Sequence, residues 1–210
     1  MKVSPSLASG DVLHVAREVD YIDKYFDNIH LDIEDGVVLL GITFGMKMAK
    51  KVCEYSKSRE KTIHLEVLNP LDYLEELKQI RCDCVFIQVS HLNNAVEIIH
   101  KFKDAGIPTG VNLNDADIER QDLAEIISTS RDFLISTTDP FDPKQEYLPG
   151  MEEFALKLAE NEKYRVWIDG CVTYETYQRI KDSKLYCAVV GRAIFSDRRL
   201  AIDRFSSIMK

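Results

Sequence analysis

Two histidines and two aspartates carry the most chemical promise in this chain: His30 and Asp32, one residue apart, then His64, and Asp169 directly before Gly170. Imidazole nitrogen suits zinc, iron or copper, and carboxylate oxygen extends the choice to manganese or magnesium, so the four make a donor set for one divalent ion. In a strand, residues two apart share a face about 7 Å apart, which places His30 and Asp32 side by side. An ionised carboxylate in an apolar strand is costly to bury unless something pairs with it. The same residues would also serve as a charge pair that merely holds a structure together. His14, His91 and His100 sit in helical or loop contexts and read as ordinary.

The elements that would position this set follow from the hydrophobic pattern. Short apolar runs recur at 3–7, 29–33, 62–68, 84–89, 109–113, 133–137, 165–168 and 186–190. Stretches with helical spacing follow them at 15–26, 46–56, 70–79, 95–104, 116–128, 151–160, 174–181 and 199–209. Strand-then-helix repetition implies parallel strands joined by crossovers. Eight units in 210 residues predict one α/β domain over 1–210, a (β/α)8 TIM barrel at the short end of its size range. An open doubly wound sheet is the competitor, but the first strand leads into Ser6-Leu7-Ala8-Ser9-Gly10, with no Gly-rich dinucleotide turn. Barrel active sites lie at the C-terminal ends of the strands. His30, Asp32, His64, Asp169 and Ser6 all fall near strand ends, where they can converge.

Composition narrows the partners. Lys and Arg number 27 against 35 Asp and Glu, a net charge of −8. Such a chain repels phosphodiester backbones and anionic bilayers, so neither nucleic acid nor membrane is expected as a partner. No apolar run reaches the ~18 residues that span a bilayer, and Met1-Lys2-Val3-Ser4-Pro5 does not read as a signal peptide. The five cysteines lack a C-x-x-C pair, and Cys82-x-Cys84 would put two thiols on one strand face. They read as reduced residues of a cytoplasmic protein.

Several further motifs stand in order along the chain: Ser4-Pro5-Ser6-Leu7, His30-Leu31-Asp32-Ile33-Glu34-Asp35-Gly36, Ile42-Thr43-Phe44-Gly45, His64-Leu65, Asn69-Pro70, Gly110-Val111-Asn112-Leu113-Asn114, Ile168-Asp169-Gly170 and Gly191-Arg192-Ala193-Ile194-Phe195. Together they resemble the ribulose-phosphate 3-epimerase family over nearly the whole chain. The run from His30 to Lys47 is similar to a branch of sugar epimerases of unassigned substrate. The resemblance implies a ribulose-phosphate-binding barrel with one divalent metal (zinc, iron, manganese or cobalt) held by His30, Asp32, His64 and Asp169. It implies that Asp32 and Asp169 act as the acid/base pair and that Ser6 touches substrate. The reaction implied is epimerisation at C3 of a ketose, of the ribulose-5-phosphate/xylulose-5-phosphate or allulose-6-phosphate type. One aspartate would remove the proton beside the carbonyl, the metal would stabilise the enediolate, and the other aspartate would return a proton to the opposite face. Family members are often dimers or larger, which leaves room for a homo-oligomer.

The departures concern the substrate. Glu34, Glu66 and Ser136 stand where the family has methionines. The two acids either point to solvent or a nearby cation, or face the cavity and meet the ligand. The glycine-rich phosphate loop after the sixth strand is replaced by Asp139-Pro140-Phe141-Asp142-Pro143-Lys144-Gln145, and one glycine of D-G-G has become Cys171. After the eighth strand Gly191 is followed by Arg192, whose guanidinium offers a bidentate grip on an anion, with Lys144 in support. Gly170, Gly191, Arg192 and Lys144 are therefore the expected substrate-binding residues besides Ser6. Gln88 and Asn112 face inward and either bond substrate hydroxyls or serve as barrel-core amides. Two alternatives remain: another barrel isomerase with a changed pocket, or a non-catalytic sugar-binding barrel acting as a sensor or accessory protein.

Overall fold

Eight parallel strands alternate with helices in the computed structural model, which describes residues 1–39, 41–139 and 146–209. The strands are β1 Lys2–Pro5, β2 Asn28–Glu34, β3 Glu60–Glu66, β4 Cys84–Gln88, β5 Thr109–Leu113, β6 Asp132–Ser136, β7 Arg165–Asp169 and β8 Cys187–Val190. The helices are α1 Val15–Tyr25, α2 Met46–Tyr55, α3 Leu74–Leu77, α4 Ala95–Asp104, α5 Leu123–Ser128, α6 Pro149–Ala159, α7 Tyr174–Ile180, α8 Arg192–Phe195 and α9 Arg198–Phe205. The ladder runs β1-β8-β7-β6-β5-β4-β3-β2. A single parallel bridge, Ser6 to His30, joins its two edges. The barrel thus closes at two of the residues singled out for chemistry.

Period-2 alternation splits the strand residues into two cores. Odd-numbered positions of β2 and β3 (Ile29, Leu31, Ile33, Ile63, Leu65) pack outward with Val85, Ile87, Val111, Phe133 and Ile168 against the helices. Inside the barrel, Cys84, Phe86, Leu134, Trp167, Cys187 and Val189 form a separate apolar plug. Phe86 and Trp167 meet edge-on with ring centroids 4.9 Å apart. This plug is the floor on which the polar strand ends stand, so its packing fixes their height. Gly110 makes room for it: a Cβ there would lie 2.5 Å from Phe86 Cδ1 and 2.8 Å from Cys84 Sγ.

Three elements differ from the sequence pattern. The helix expected at 70–79 begins as a 3-10 turn, Pro70–Tyr73, and only Leu74–Leu77 is α-helical. The helix expected at 116–128 is confined to Leu123–Ser128. Arg120 explains the loss: its guanidinium donates to the carbonyls of Val89 and Leu92 and pairs with Asp122, which fastens the preceding residues to the β4 loop. The last helix is preceded by α8 and ends by Phe205. Cys82 lies before β4 and packs toward the helix side, whereas Cys84 is inside the barrel, so the two thiols do not share a face. Among the described residues no cysteine forms a disulfide.

Candidate active site

At the C-terminal ends of the strands, one ligand atom from each of His30, Asp32, His64 and Asp169 lies within 4.8 Å of the others. His30 Nε2 stands 3.2 Å from Asp32 Oδ1 and 3.8 Å from Asp169 Oδ2, and His64 Nδ1 is 3.9 Å from Asp32 Oδ1. Ser6 donates its hydroxyl to Asp32 Oδ2 at 2.7 Å. β2 supplies His30 and Asp32, β3 supplies His64 and β7 supplies Asp169, so the set predicted from spacing converges.

The donors are preset from behind. His30 is fully buried and its Nδ1 lies 2.7 Å from Thr62 Oγ1. His30 Nε2 therefore faces the carboxylates; burial lowers the ring's pKa, but Asp32 and Asp169 outweigh it and raise it, and with Nδ1–H given to Thr62 it is Nε2 that a cation in place of this proton would meet. His64 is arranged the other way round. Its Nδ1 faces Asp32 and Glu66, and against the burial of the ring the Asp32 charge and, after it, the Asn112 amide favour a proton on it. Asn112 Oδ1 and His64 Nε2 are both buried without a hydrogen-bond partner, and Asn112 is itself held by donating to Leu134 O and Ser136 Oγ. Thr43 donates to the Asp32 carbonyl, and Thr137 donates to the carbonyls of Asp169 and Gly170. Thr43 belongs to the Ile42-Thr43-Phe44-Gly45 motif, whereas Thr62 and Thr137 were not singled out in the sequence, where a strand or loop threonine carries no distinguishing pattern. Asn112 and Gln88 are at most 1% exposed and act as core amides.

A buried imidazole nitrogen with no hydrogen-bond partner, aimed at two carboxylates, is the expected state of a ligand atom whose cation completes the group. The two-imidazole, two-carboxylate donor set fits a divalent transition metal. Without a cation the charges of the set compensate one another. Burial alone would raise Asp32, but His30, His64 and the Ser6 hydroxyl outweigh it and hold Asp32 at about 2. Burial and the Asp32 charge push Asp169 up to about 7. Burial drives His64 down to about 3, so its ring is neutral.

The set opens into a cavity of about 600 Å³. Glu34 and Glu66 line it on one side, and Gly170, Cys171, Gly191 and Arg192 on the other. The two acids therefore face the ligand space rather than bulk solvent, and among the described residues neither pairs with a lysine or arginine. Burial and Asp32 raise Glu34 to about 7, and burial raises Glu66 well above its ordinary value. Cys171 has φ 51°, so it keeps the left-handed backbone normally left to glycine. Gly170 has φ 108°, and a Cβ there would lie 2.5 Å from Thr138 Oγ1. Arg192 Nη2 is 2.7 Å from Cys171 Sγ. Arg204 from α9 also reaches this wall and was not anticipated. Lys144 lies outside the described residues. His14 pairs with Asp11, and His91 bonds loop carbonyls, away from the site.

Residues 2–195 match the Ribulose-phosphate 3 epimerase family. The chain belongs to that family. It is therefore one of a family of isomerases that act on carbohydrates. A ribulose-phosphate 3-epimerase of Helicobacter pylori strain J99 is 25% identical over 215 residues, covering 99% of this chain and 98% of the relative. That of Bacillus subtilis strain 168 is 26% identical, with 97% of each chain covered. The rice cytoplasmic isoform is 27% identical, covering 92% of this chain and 87% of the relative. Among solved structures, phosphoribosyl anthranilate isomerase from Thermococcus kodakaraensis superposes with a TM-score of 0.67 at 13% identity, covering 99% of this chain and 98% of that one. A tryptophan synthase α-subunit from Pyrococcus furiosus gives 0.69 at 14% identity, covering 99% and 96%. These likenesses establish the barrel. Among the described residues no helix is long and apolar enough to cross a membrane.

Proposed function

We propose that this epimerase-family chain is a metal-dependent 3-epimerase of a ketose phosphate, with Asp32 and Asp169 as its proton-transfer pair. The observation that carries the reading is the convergence of His30, Asp32, His64 and Asp169 within 4.8 Å at the floor of one cavity. His30, Asp32, His64 and Asp169 would hold the ion. When bound, it supplies Lewis-acid stabilisation of the charge that develops on the sugar oxygens as the C3 proton leaves.

The protein's own part is proton transfer between two faces. Asp32 and Asp169 come from β2 and β7, on either side of His30, so a ketose between them presents one face to each carboxylate. In the metal-free chain the two environments differ: the neighbouring imidazoles and the Ser6 hydroxyl outweigh burial and lower Asp32, whereas burial and the Asp32 charge raise Asp169. A bound cation would lower both carboxylates, so the acid and base roles rest on their placement on two different strands. A carboxylate that accepts the C3 proton leaves its partner to deliver one to the other face, which inverts the centre. Ser6 holds Asp32 Oδ2 and so aims the second oxygen of that carboxylate. Gly170, Gly191 and Arg192 form the wall suited to the anionic end of the substrate, with Arg192 as its cation.

The test is solvent exchange. Protein loaded with zinc, iron, manganese or cobalt is incubated in D2O with pentulose and hexulose phosphates and the free sugars, and C3 is followed by NMR. Deuterium at C3 with formation of the epimer is expected. Tight sugar binding with no exchange for any metal would replace this reading with a non-catalytic sugar-binding barrel.

A further inference from the structure

Glu34 and Glu66 take no part in the proposed proton transfer, yet both acids are built into the cavity wall. They are register partners at the last positions of β2 and β3. Glu66 is 7% exposed and lies 3.5 Å from His64 Nδ1. Among the described residues no hydrogen-bond donor satisfies its carboxyl. The Glu34 carboxyl lies directly over Gly41, where any Cβ would collide with its Oε2. The wall behind them is fixed: Asp35 accepts the N–H groups of Val37, Val38 and Leu68, which ties the loop after β2 to the loop after β3. Placing two further carboxyls beside an ionised Asp32 opposes folding. A ligand that donates hydrogen bonds to them offsets that cost.

The topology says which part of the ligand this is. In an eight-stranded ring β3 stands across from β7, so the Glu34–Glu66 wall faces the Gly170–Arg192 wall over the His/Asp set. A linear ketose phosphate with its anion at β7 and β8 and its reacting carbons at the centre sends its far, hydroxymethyl end to β2 and β3. We infer that Glu34 and Glu66 are specificity-determining residues that bind the terminal hydroxyl at the end of the ketose remote from phosphate. The inference rests on the anion orientation given above. A carboxyl bonds a hydroxyl whether ionised or protonated, so the contact survives either state.

The experiment compares two unreactive ligands, a pentitol 5-phosphate and its 1-deoxy counterpart, by calorimetry on the zinc-loaded full-length protein. The wild type should bind the hydroxylated ligand at least tenfold more tightly, because the deoxy ligand leaves buried polar groups unpaired. In the E34M/E66M variant, similar in side-chain volume, the two ligands should bind within about twofold of each other. Bound zinc and circular dichroism establish that the variant is folded, and the single variant E66Q, which keeps hydrogen-bonding capacity, should retain most of the discrimination. Equal binding of both ligands by the wild type, undetectable binding of both, or unchanged discrimination in the double variant would overturn the inference. Discrimination in binding without C3 exchange on any ketose would sink the catalytic reading alone; C3 exchange without discrimination would sink this one alone.

Discussion

Thr62 Oγ1 lies 2.7 Å from His30 Nδ1 on the neighbouring strand, and this contact decides which nitrogen of a fully buried imidazole faces the carboxylates. Partners of this kind fix the tautomer of a metal-binding histidine, and removing one weakens metal affinity by about 10- to 100-fold. Thr62→Val keeps the branched shape and removes the acceptor. Zinc affinity, measured by competition with a chelator, should fall within that range while the circular dichroism spectrum is unchanged. Unaltered affinity would show that packing alone orients His30.

Asp169 makes stability depend on pH in a direction opposite to an ordinary carboxylate. Its folded value is about 7, against 3.8 for a free aspartate. Between those limits the folded metal-free chain holds a proton that the unfolded chain has released, so its stability drops as pH rises from about 4 to about 7. His64, lowered from 6.5 to about 3, pulls the other way over part of the window, so the readout is the difference between proteins. Asp169→Asn should flatten the wild-type contribution in metal-free thermal melts over that window and should abolish C3 exchange. Retained full exchange would remove Asp169 from the chemistry; melts that stay parallel to wild type would mean that its proton is not linked to folding.

Much of this was readable from the residues. His30-x-Asp32 announces itself because period-2 geometry puts both on one strand face, and His64 and Asp169 sit at the ends of clear apolar runs. Ser6 was read as a strand-end residue; β1 stops at Pro5, yet its backbone bridges to His30 and its hydroxyl meets Asp32. Positioning groups were not legible. Thr62 and Thr137 are common strand and loop residues whose role comes from a neighbour on another strand. Asn112 could be placed inward, but only the packed structure shows that its amide nitrogen is spent on Leu134 O and Ser136 Oγ. The short α5 was hidden for the same reason: Arg120 spends its donors on carbonyls about 30 residues earlier in the chain, which no local pattern encodes.

Gly110 tests the floor of the site. A methyl group at this position would overlap Phe86 and Cys84, which already pack in the barrel plug. Overpacking of this kind costs about 1–3 kcal/mol, which for a chain of this size lowers Tm by roughly 2–4 °C per kcal/mol. Gly110→Ala should show that drop. Its Trp167 fluorescence should also shift, since Trp167 is the chain's one tryptophan and packs edge-on against Phe86. A Tm within a degree of wild type would mean that the plug yields without loss.

Arg192 tests the anion wall. It opens α8 immediately after Gly191, lines the cavity across from Glu34 and Glu66, and rests its guanidinium against Cys171 Sγ. Gly191 itself lies close to Ser9, whose hydroxyl would have to turn away to admit a Cβ there. A charged hydrogen bond to phosphate contributes about 1.5–3 kcal/mol, so Arg192→Ala should raise KM for a phosphorylated ketose by roughly 10- to 100-fold. The corresponding free sugar has no anion to lose and should change by less than about twofold. The measurement is a pair of KM values on each protein, with kcat as the control for the proton-transfer pair. An equal rise for both sugars would mean that Arg192 shapes the loop after β8 rather than gripping phosphate, and the anionic end of the substrate would then have to be held by the backbone of the Gly170–Cys171 turn.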